Sequence, residues 1–183
     1  MVASRHATPR GCRVLLGLAV LWGIALLSEG RSGALDHETT RATLRSIEGV
    51  QVIVEQVPPE VERAGLTTQQ LQADVESRLR HAGIRIHTTK EEKYSTPGAP
   101  CLYIHVTVML ESNGLAVCAI HVEFKQKAAL EIDGSLADVA TWSVGPYLGS
   151  GSRSHLAAIR DTVKDSVDRF INAYVSVHPP PSP

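Results

Sequence analysis

Three histidines have the residue type and the spacing for chemistry at a metal ion. His105 and His121 lie in two long segments of alternating apolar and polar residues. The predicted hairpin register sets them directly opposite each other. Glu123 is two residues after His121, so its side chain points to the same face of the sheet. His87 joins them if its own strand lies next to the hairpin. Imidazole is a ligand for both zinc and copper. His105, His121 and His87 are therefore a candidate zinc or copper site, and the interpretation that we favour over it is a solvated polar sheet face with scattered histidines.

A second candidate is the run Gly149–Ser154, which precedes the last predicted helix. Main-chain N–H groups at the start of a helix attract anions. The run holds one arginine, Arg153, and lacks the lysine of a phosphate-binding loop. We therefore favour a flexible connector that ends in a serine N-cap.

Signatures of catalysis are absent from the chain. The motifs G-x-S-x-G, S-x-x-K, H-E-x-x-H, C-x-x-C and the P-loop do not occur. Asp161, Asp165 and Asp168 alternate with basic residues, a pattern typical of a solvated helix face with salt bridges. We predict no catalytic residues, no cofactor and no enzymatic activity.

The charge balance excludes partners that a basic surface would recruit. The chain has 183 residues, a net charge of -1 and 4% aromatic residues. The first 34 residues carry a net charge of +3, so the rest is mildly acidic at -4. Neither a nucleic-acid footprint nor a polybasic lipid-binding patch is expected.

Residues 1–34 have the layout of a secretory leader. A basic segment precedes Val14–Leu27, which is uncharged, and small residues follow it. We predict cleavage after Ala34, with cleavage after Gly30 as the alternative. An uncleaved membrane anchor is the other interpretation, but a spanning helix needs about 20 apolar residues. The protein is therefore predicted to be exported, periplasmic or secreted, and to meet a membrane only through its leader.

Hydrophobic periodicity predicts the elements of the mature chain. Alternating residues predict strands over Val50–Val57, Ile84–Thr88, Cys101–Glu111, Leu115–Glu131 and Val139–Val144. Helical spacing predicts helices over Thr68–Ala82, after a Thr67/Gln70 capping box, and over His155–Val177. The remaining segments are predicted to be a short helix or arm at Leu35–Glu48, a loop at Thr89–Pro100 and a connection at Gly145–Arg153.

The segment Ser112–Gly114 predicts a hairpin whose register can be chosen by burial. A two-residue turn would pair Ser112 with Leu115 and put apolar and polar rows on one face. A three-residue loop with Gly114 in the left-handed conformation pairs Glu111 with Leu115 instead. The apolar rows then match, with pairs Val108–Cys118, Val106–Ile120 and Ile104–Val122.

The same register predicts that the two cysteines of the mature chain are free. Cys101 falls on the polar face opposite Lys125, and Cys118 falls on the apolar face opposite Val108. The two lie about seven rungs apart, roughly 23 Å at the rise of a strand. A disulfide needs Cα atoms within about 7 Å. Cys118 is expected to be the buried thiol.

These elements predict an α+β fold, a two-layer sandwich. Every strand has one apolar face, which favours a mostly antiparallel sheet with the two main helices on one side, in the order β-α-β-β-β-(β)-α. We expect a leader at 1–34, one domain at 35–178 and a disordered proline-rich tail at 179–183.

Four segments carry a family resemblance, and they span most of the mature chain. They are GLTTQQLQADVESRLRHAGIRI, CLYIHVTV, ATW and IRDTVKDSVDRFINAYVSVHP. Together they resemble a group of small exported bacterial proteins of unassigned function. The order of elements is also similar to periplasmic domains of the TolB amino-terminal and curli-secretion types, a topological likeness only.

The sequence thus favours a non-enzymatic exported module that binds a protein or an envelope component. Its binding surface would be the polar sheet face or an edge strand. A metal-binding protein using the histidines is the alternative, and an enzyme with an unrecognised site is the third hypothesis.

Overall fold

A computed structural model describes residues 35–179, so the predicted leader and residues 180–183 lie outside it. The helices are α1 (Glu38–Ala42), α2 (Pro59–Arg63), α3 (Thr68–His81), α4 (Lys90–Ser95) and α5 (Ala157–Val177). The strands are β1 (Gln51–Val54), β2 (Cys101–Leu110), β3 (Leu115–Ala129) and β4 (Leu136–Ser152). Over the described range, none of the helices has the length and apolar character needed to cross a membrane.

The four strands form one sheet in the order β1-β2-β3-β4. β1 pairs with β2 in parallel, and the other two pairs are antiparallel. The helices α3 and α5 pack on the apolar face. On the opposite face, which is the open face of the sheet, α4 lies over the end that holds Cys101, and the part around His105 is exposed. The predicted α+β two-layer sandwich is confirmed.

The hairpin register is the one selected by burial. Glu111 donates its N–H to the carbonyl of Leu115, and Gly114 closes the three-residue loop at a φ of +83°. Every predicted pair is present, including His105 opposite His121. Matching apolar rows therefore decided the register, because a shift by one residue would bury the polar row.

Local capping boxes mark the first turns of α3 and α4. The Thr67/Gln70 capping box starts α3, and Gly83 follows it at a φ of +75°. The predicted loop at Thr89–Pro100 instead contains α4, whose own capping box joins Thr89 and Glu92. This T-x-x-E signal is visible in the sequence and identifies the helix that the loop prediction missed.

Two other predictions are corrected by the sheet. The segment Gly145–Arg153 is not a connection, since β4 continues to Ser152 as the partner of β3. A ladder is built from main-chain hydrogen bonds, so a partner strand can recruit glycines and serines. The predicted strand Ile84–Thr88 is reduced to a single bridge between Ile86 and Val50, at the outer side of β1.

An aromatic cluster joins α5 to the sheet. Phe170 lies 5.7 Å from Phe124 on β3 and 5.3 Å from Trp142 on β4, measured between ring centroids. All three side chains are fully buried. Trp142 is thus part of the core that joins α5 to the sheet.

Two aspartates link elements around this core through ion pairs and hydrogen bonds. Asp74 on α3 accepts two hydrogen bonds from Arg160 on α5, at 2.7 and 2.8 Å. Asp36 accepts hydrogen bonds from the indole of Trp142 at 3.0 Å and from Arg41 at 2.6 Å.

These contacts set the pKa values of the two aspartates. Burial raises the pKa of Asp36, but the hydrogen bonds outweigh this effect, and the net pKa lies below its ordinary value. The hydrogen bond from Arg160 lowers the pKa of Asp74.

We expect the free energy of unfolding to decrease as the pH falls below about 4. Asp36 and Asp74 have lower pKa values in the folded protein than the ordinary 3.8, so they stabilise the fold above that value. This contribution is lost as the pH falls through their folded-state pKa values. Urea unfolding midpoints measured from neutral to strongly acidic pH test this expectation.

Asp36→Asn and Asp74→Asn should each flatten that acid dependence, whereas Asp165→Asn, at an exposed position of α5, should leave it unchanged. Retention of the full wild-type pH slope in both Asp36→Asn and Asp74→Asn would contradict the assignment.

Candidate functional site

The open face carries the histidine pair predicted from the sequence. His105 and His121 are direct cross-strand neighbours on β2 and β3. The Nε2 atom of His105 lies 3.0 Å from a carboxylate oxygen of Glu55, and Nδ1 of His121 lies 3.5 Å from Glu123. Each imidazole is thus already paired with its own carboxylate.

His87 does not join this pair. Its segment lies beyond β1, so β1 separates it from the hairpin. The side chain is buried rather than exposed, and its Nδ1 has no hydrogen-bond partner. Within the described part of the chain, no three residues among histidines, cysteines and carboxylates are grouped to hold a metal ion. The zinc or copper site stays a prediction, and its support is reduced to His105 and His121.

The remaining polar groups of this face contact one another. Lys125 lies 2.9 Å from Glu123 and 3.8 Å above the ring of Tyr103, measured to the centroid. A hydrogen bond to Glu55, together with burial, raises the pKa of Tyr103 to about 12. Mutual pairing of this kind is typical of a solvated, salt-bridged surface.

The two cysteines are free, but their burial is the reverse of the prediction. Cys101 is buried, although it lies on the polar side of β2, because α4 covers that end of the sheet and Lys93 reaches the thiol. Cys118 is only half-buried, because its neighbour on β4 is Gly149, which has no side chain to cover it. Burial raises the pKa of both thiols.

A different feature emerges at the outer edge of β4. Ser143 exchanges main-chain hydrogen bonds with Leu35 at 3.0 and 3.3 Å, which covers one point of this edge. Beyond it, Gly145 and Pro146 form a bulge opposite His121. From Tyr147 to Ser152, β4 pairs with β3 on one side only, among the residues that the structure describes.

The direction of the main-chain groups along this edge follows from the hairpin. Leu115 directs its carbonyl to β2, so the alternate residues of β3 direct theirs to β4. The β4 residues paired with them also face inward, and these are Tyr147, Gly149 and Gly151. Leu148 and Ser150 therefore direct their N–H and C=O groups outward, away from the sheet.

A pocket of about 130 Å³ lies beside this edge, on the side that faces the helices. Gly149 and Gly151 form its β4 wall, and Cys118 lies on its β3 wall. The start of α5 closes it, with lining from Leu156, Ile159 and Thr162. A Cβ placed on Gly151 would meet no atom within 4 Å, so the space above this residue is open. The pocket is open at Gly151, where β4 has no side chain, whereas the ring of Tyr147 lies over Gly149 and forms part of the lining.

The composition of the edge is unusual for an exposed strand. Natural edge strands are commonly protected by charges, prolines or bulges. Residues 139–152 contain no charged side chain. The bulge at Pro146 protects only the middle of β4. Tyr147 and Leu148, which follow it, are 48% and 74% exposed.

Sequence reasoning missed this edge because the glycines and serines were interpreted as a connector. The run Gly149–Ser154 is not a connector, since Gly149–Ser152 is the end of β4. The predicted serine N-cap is present: the hydroxyl of Ser152 accepts a hydrogen bond from the N–H of Ser154 in the 3-10 turn Arg153–His155, which precedes α5. The available signal was the long β3 segment, whose apolar row needs a second neighbouring strand.

Comparison with known proteins leaves the family of this chain open. No family model and no curated protein matches it. A dodecamer of PelC from Paraburkholderia phytofirmans is similar in structure, with a TM-score of 0.40 and 16% identity over 67% of this chain and 90% of that one. A minor lipoprotein from Acinetobacter baumannii has a TM-score of 0.35 and 11% identity over 70% of this chain and 94% of that one. Likenesses at this level carry no argument about function.

Proposed function

We propose that this protein is an exported, non-enzymatic binding module that captures an extended protein segment along the outer edge of β4. The observation that carries the proposal is that, among residues 35–179, the outward main-chain groups of Leu148 and Ser150 have no partner strand, beside the glycine-lined pocket. Export rests on the predicted leader, and the partner is proposed to be a protein of the cell envelope.

The main chain of the edge supplies affinity for an added strand. Leu148 and Ser150 each present a donor and an acceptor, in the alternation that an antiparallel partner requires. Added strands bind through such main-chain hydrogen bonds, while pockets for alternate side chains provide selectivity. The segment captured here is therefore extended and contributes hydrogen bonds regardless of its own sequence.

The pocket selects one side chain of that segment. Successive residues of a strand point to opposite faces, so a residue opposite Gly151 directs its side chain toward α5. The walls formed by Leu156 and Ile159 favour an apolar group there. The neighbouring residues of the segment would contact Leu148 on the open face.

A photo-crosslinking amino acid at Leu148 tests this function in cells that export the protein. We expect adducts with a polypeptide whose crosslinked segment is extended and contains an apolar residue. Ser150→Pro should abolish them, because proline removes the outward N–H while edge strands tolerate it. A crosslinker at Asp165, on the exposed side of α5, is the matched control.

Two results would overturn the proposal. One is an adduct pattern at Asp165 equal to that at Leu148. The other is a pattern at Leu148 that Ser150→Pro leaves unchanged, while circular dichroism shows this variant to be folded.

A further inference from the structure

We infer that the segment which occupies the edge of β4 is the same edge of a second copy of this chain. This inference rests on the proposed function, because it names the partner of that edge. The two copies would pair antiparallel about a two-fold axis at Gly149, and their sheets would join into one sheet of eight strands.

The register about Gly149 satisfies the outward main-chain groups. Leu148 of each copy then lies opposite Ser150 of the other, and both residues direct their N–H and C=O groups outward. Each such pair exchanges two hydrogen bonds across the interface. An isologous contact of this kind is self-complementary and closes as a dimer.

The same register puts a ring where each copy lacks a side chain. Tyr147 of one copy lies opposite Gly151 of the other, on the side that faces the helices. The space above Gly151 is open, whereas an added Cβ on Gly149 would lie 2.7 Å from the ring of its own Tyr147. An aromatic ring packed across a strand pair on a glycine covers exposed main chain.

Burial and charge favour this pairing. Tyr147 and Leu148 are the large exposed apolar residues of the edge, and both would be covered. The two Leu148 side chains meet diagonally on the open face, next to Val117, which is itself exposed. Residues 139–152 carry no charge, so two copies meet along this edge without like-charge repulsion.

An alternative register about Ser150 fits less well. It sets Gly149 opposite Gly151 of the second copy, which leaves both pockets without a side chain. Only the register about Gly149 brings a large side chain to each open glycine.

Sedimentation velocity of the exported, purified protein over a wide range of loading concentrations tests this inference. We expect a concentration-dependent shift from monomer to dimer, because a contact of one strand per copy is small. Tyr147→Ala and Ser150→Pro should each shift the protein toward monomer at least tenfold in dissociation constant. Tyr94→Ala, at an exposed tyrosine on α4, should leave the equilibrium unchanged.

A protein that stays monomeric at every concentration would overturn the self-pairing. So would a dimer that both Tyr147→Ala and Ser150→Pro leave intact. If the crosslinker at Leu148 captures a different polypeptide while the protein is monomeric, the self-pairing is wrong and strand capture stands. If neither a dimer nor an adduct forms at this edge, both are wrong.

Discussion

Replacing Phe170 by alanine should lower the free energy of unfolding by about 3–5 kcal/mol. Phe170 is fully buried on α5 and contacts the rings of Phe124, Trp142 and Tyr174. Its removal leaves a cavity between the helix layer and the sheet, which close-packed neighbours refill only in part. Since domains of this size are stable by about 5–15 kcal/mol, the variant should be near the limit of folding at room temperature.

Urea unfolding followed by circular dichroism measures this loss. Val175→Ala, at an exposed position of the same helix, removes apolar volume without opening the core. We expect that control to stay within about 0.5 kcal/mol of the wild type. A Phe170→Ala variant no less stable than the control would show that the ring cluster does not hold α5 on the sheet.

Deleting Gly114 should leave the pairing of β2 with β3 unchanged. The deletion leaves a two-residue loop of Ser112 and Asn113 between Glu111 and Leu115, so these two residues stay paired and the apolar rows still match. Two-residue hairpin loops require positive φ angles, which serine adopts at a cost of about 1–3 kcal/mol. We therefore expect a cooperative unfolding transition at reduced stability, with His121 still on the open face.

The matched control separates the register from the strain at this turn. Gly114→Ala keeps the loop length and adds a Cβ at a φ of +83°, which costs about 1–3 kcal/mol. That variant should fold with the wild-type pattern of amide shifts in two-dimensional NMR, at reduced stability. A deletion variant whose amide shifts along β2 and β3 depart from this pattern would contradict the conclusion that the apolar rows fix the register.

The hairpin shows how far the sequence alone can specify pairing. Its two strands are adjacent in the chain, and their apolar rows match in one register only. Local information was therefore sufficient to predict the partner of every residue from Cys101 to Leu110. The capping box at Thr67 is equally local, and α3 begins directly after it.

Sequence reasoning failed where packing against another element decides the conformation or the burial of a residue. Gly149 and Ser150 have little intrinsic preference for a strand, yet β3 recruits them by main-chain hydrogen bonds. Cys101 is buried by α4, which the sequence pattern did not place over the polar face. In both cases the periodicity within one segment does not show which other element packs against it, even where, as for α4 and Cys101, the two are close in the chain.

The histidines illustrate the same limit at the candidate site. His105 and His121 are opposite each other because the hairpin is local. The position of His87 depends instead on the order of strands, and β1 lies between it and the pair. The alternation of side chains along a strand predicts which face of the sheet each residue points to. It does not predict which strand lies next to it.

For this protein, periodicity and capping determined the α+β class, the two main helices and the hairpin register. The tertiary structure decided the strand order, the length of β4 and the open edge beside its glycines. The physical reason is that helix stripes and hairpin pairs are short-range properties of a chain. A pocket or an unpaired edge depends on which elements are left without a neighbour after the core has formed.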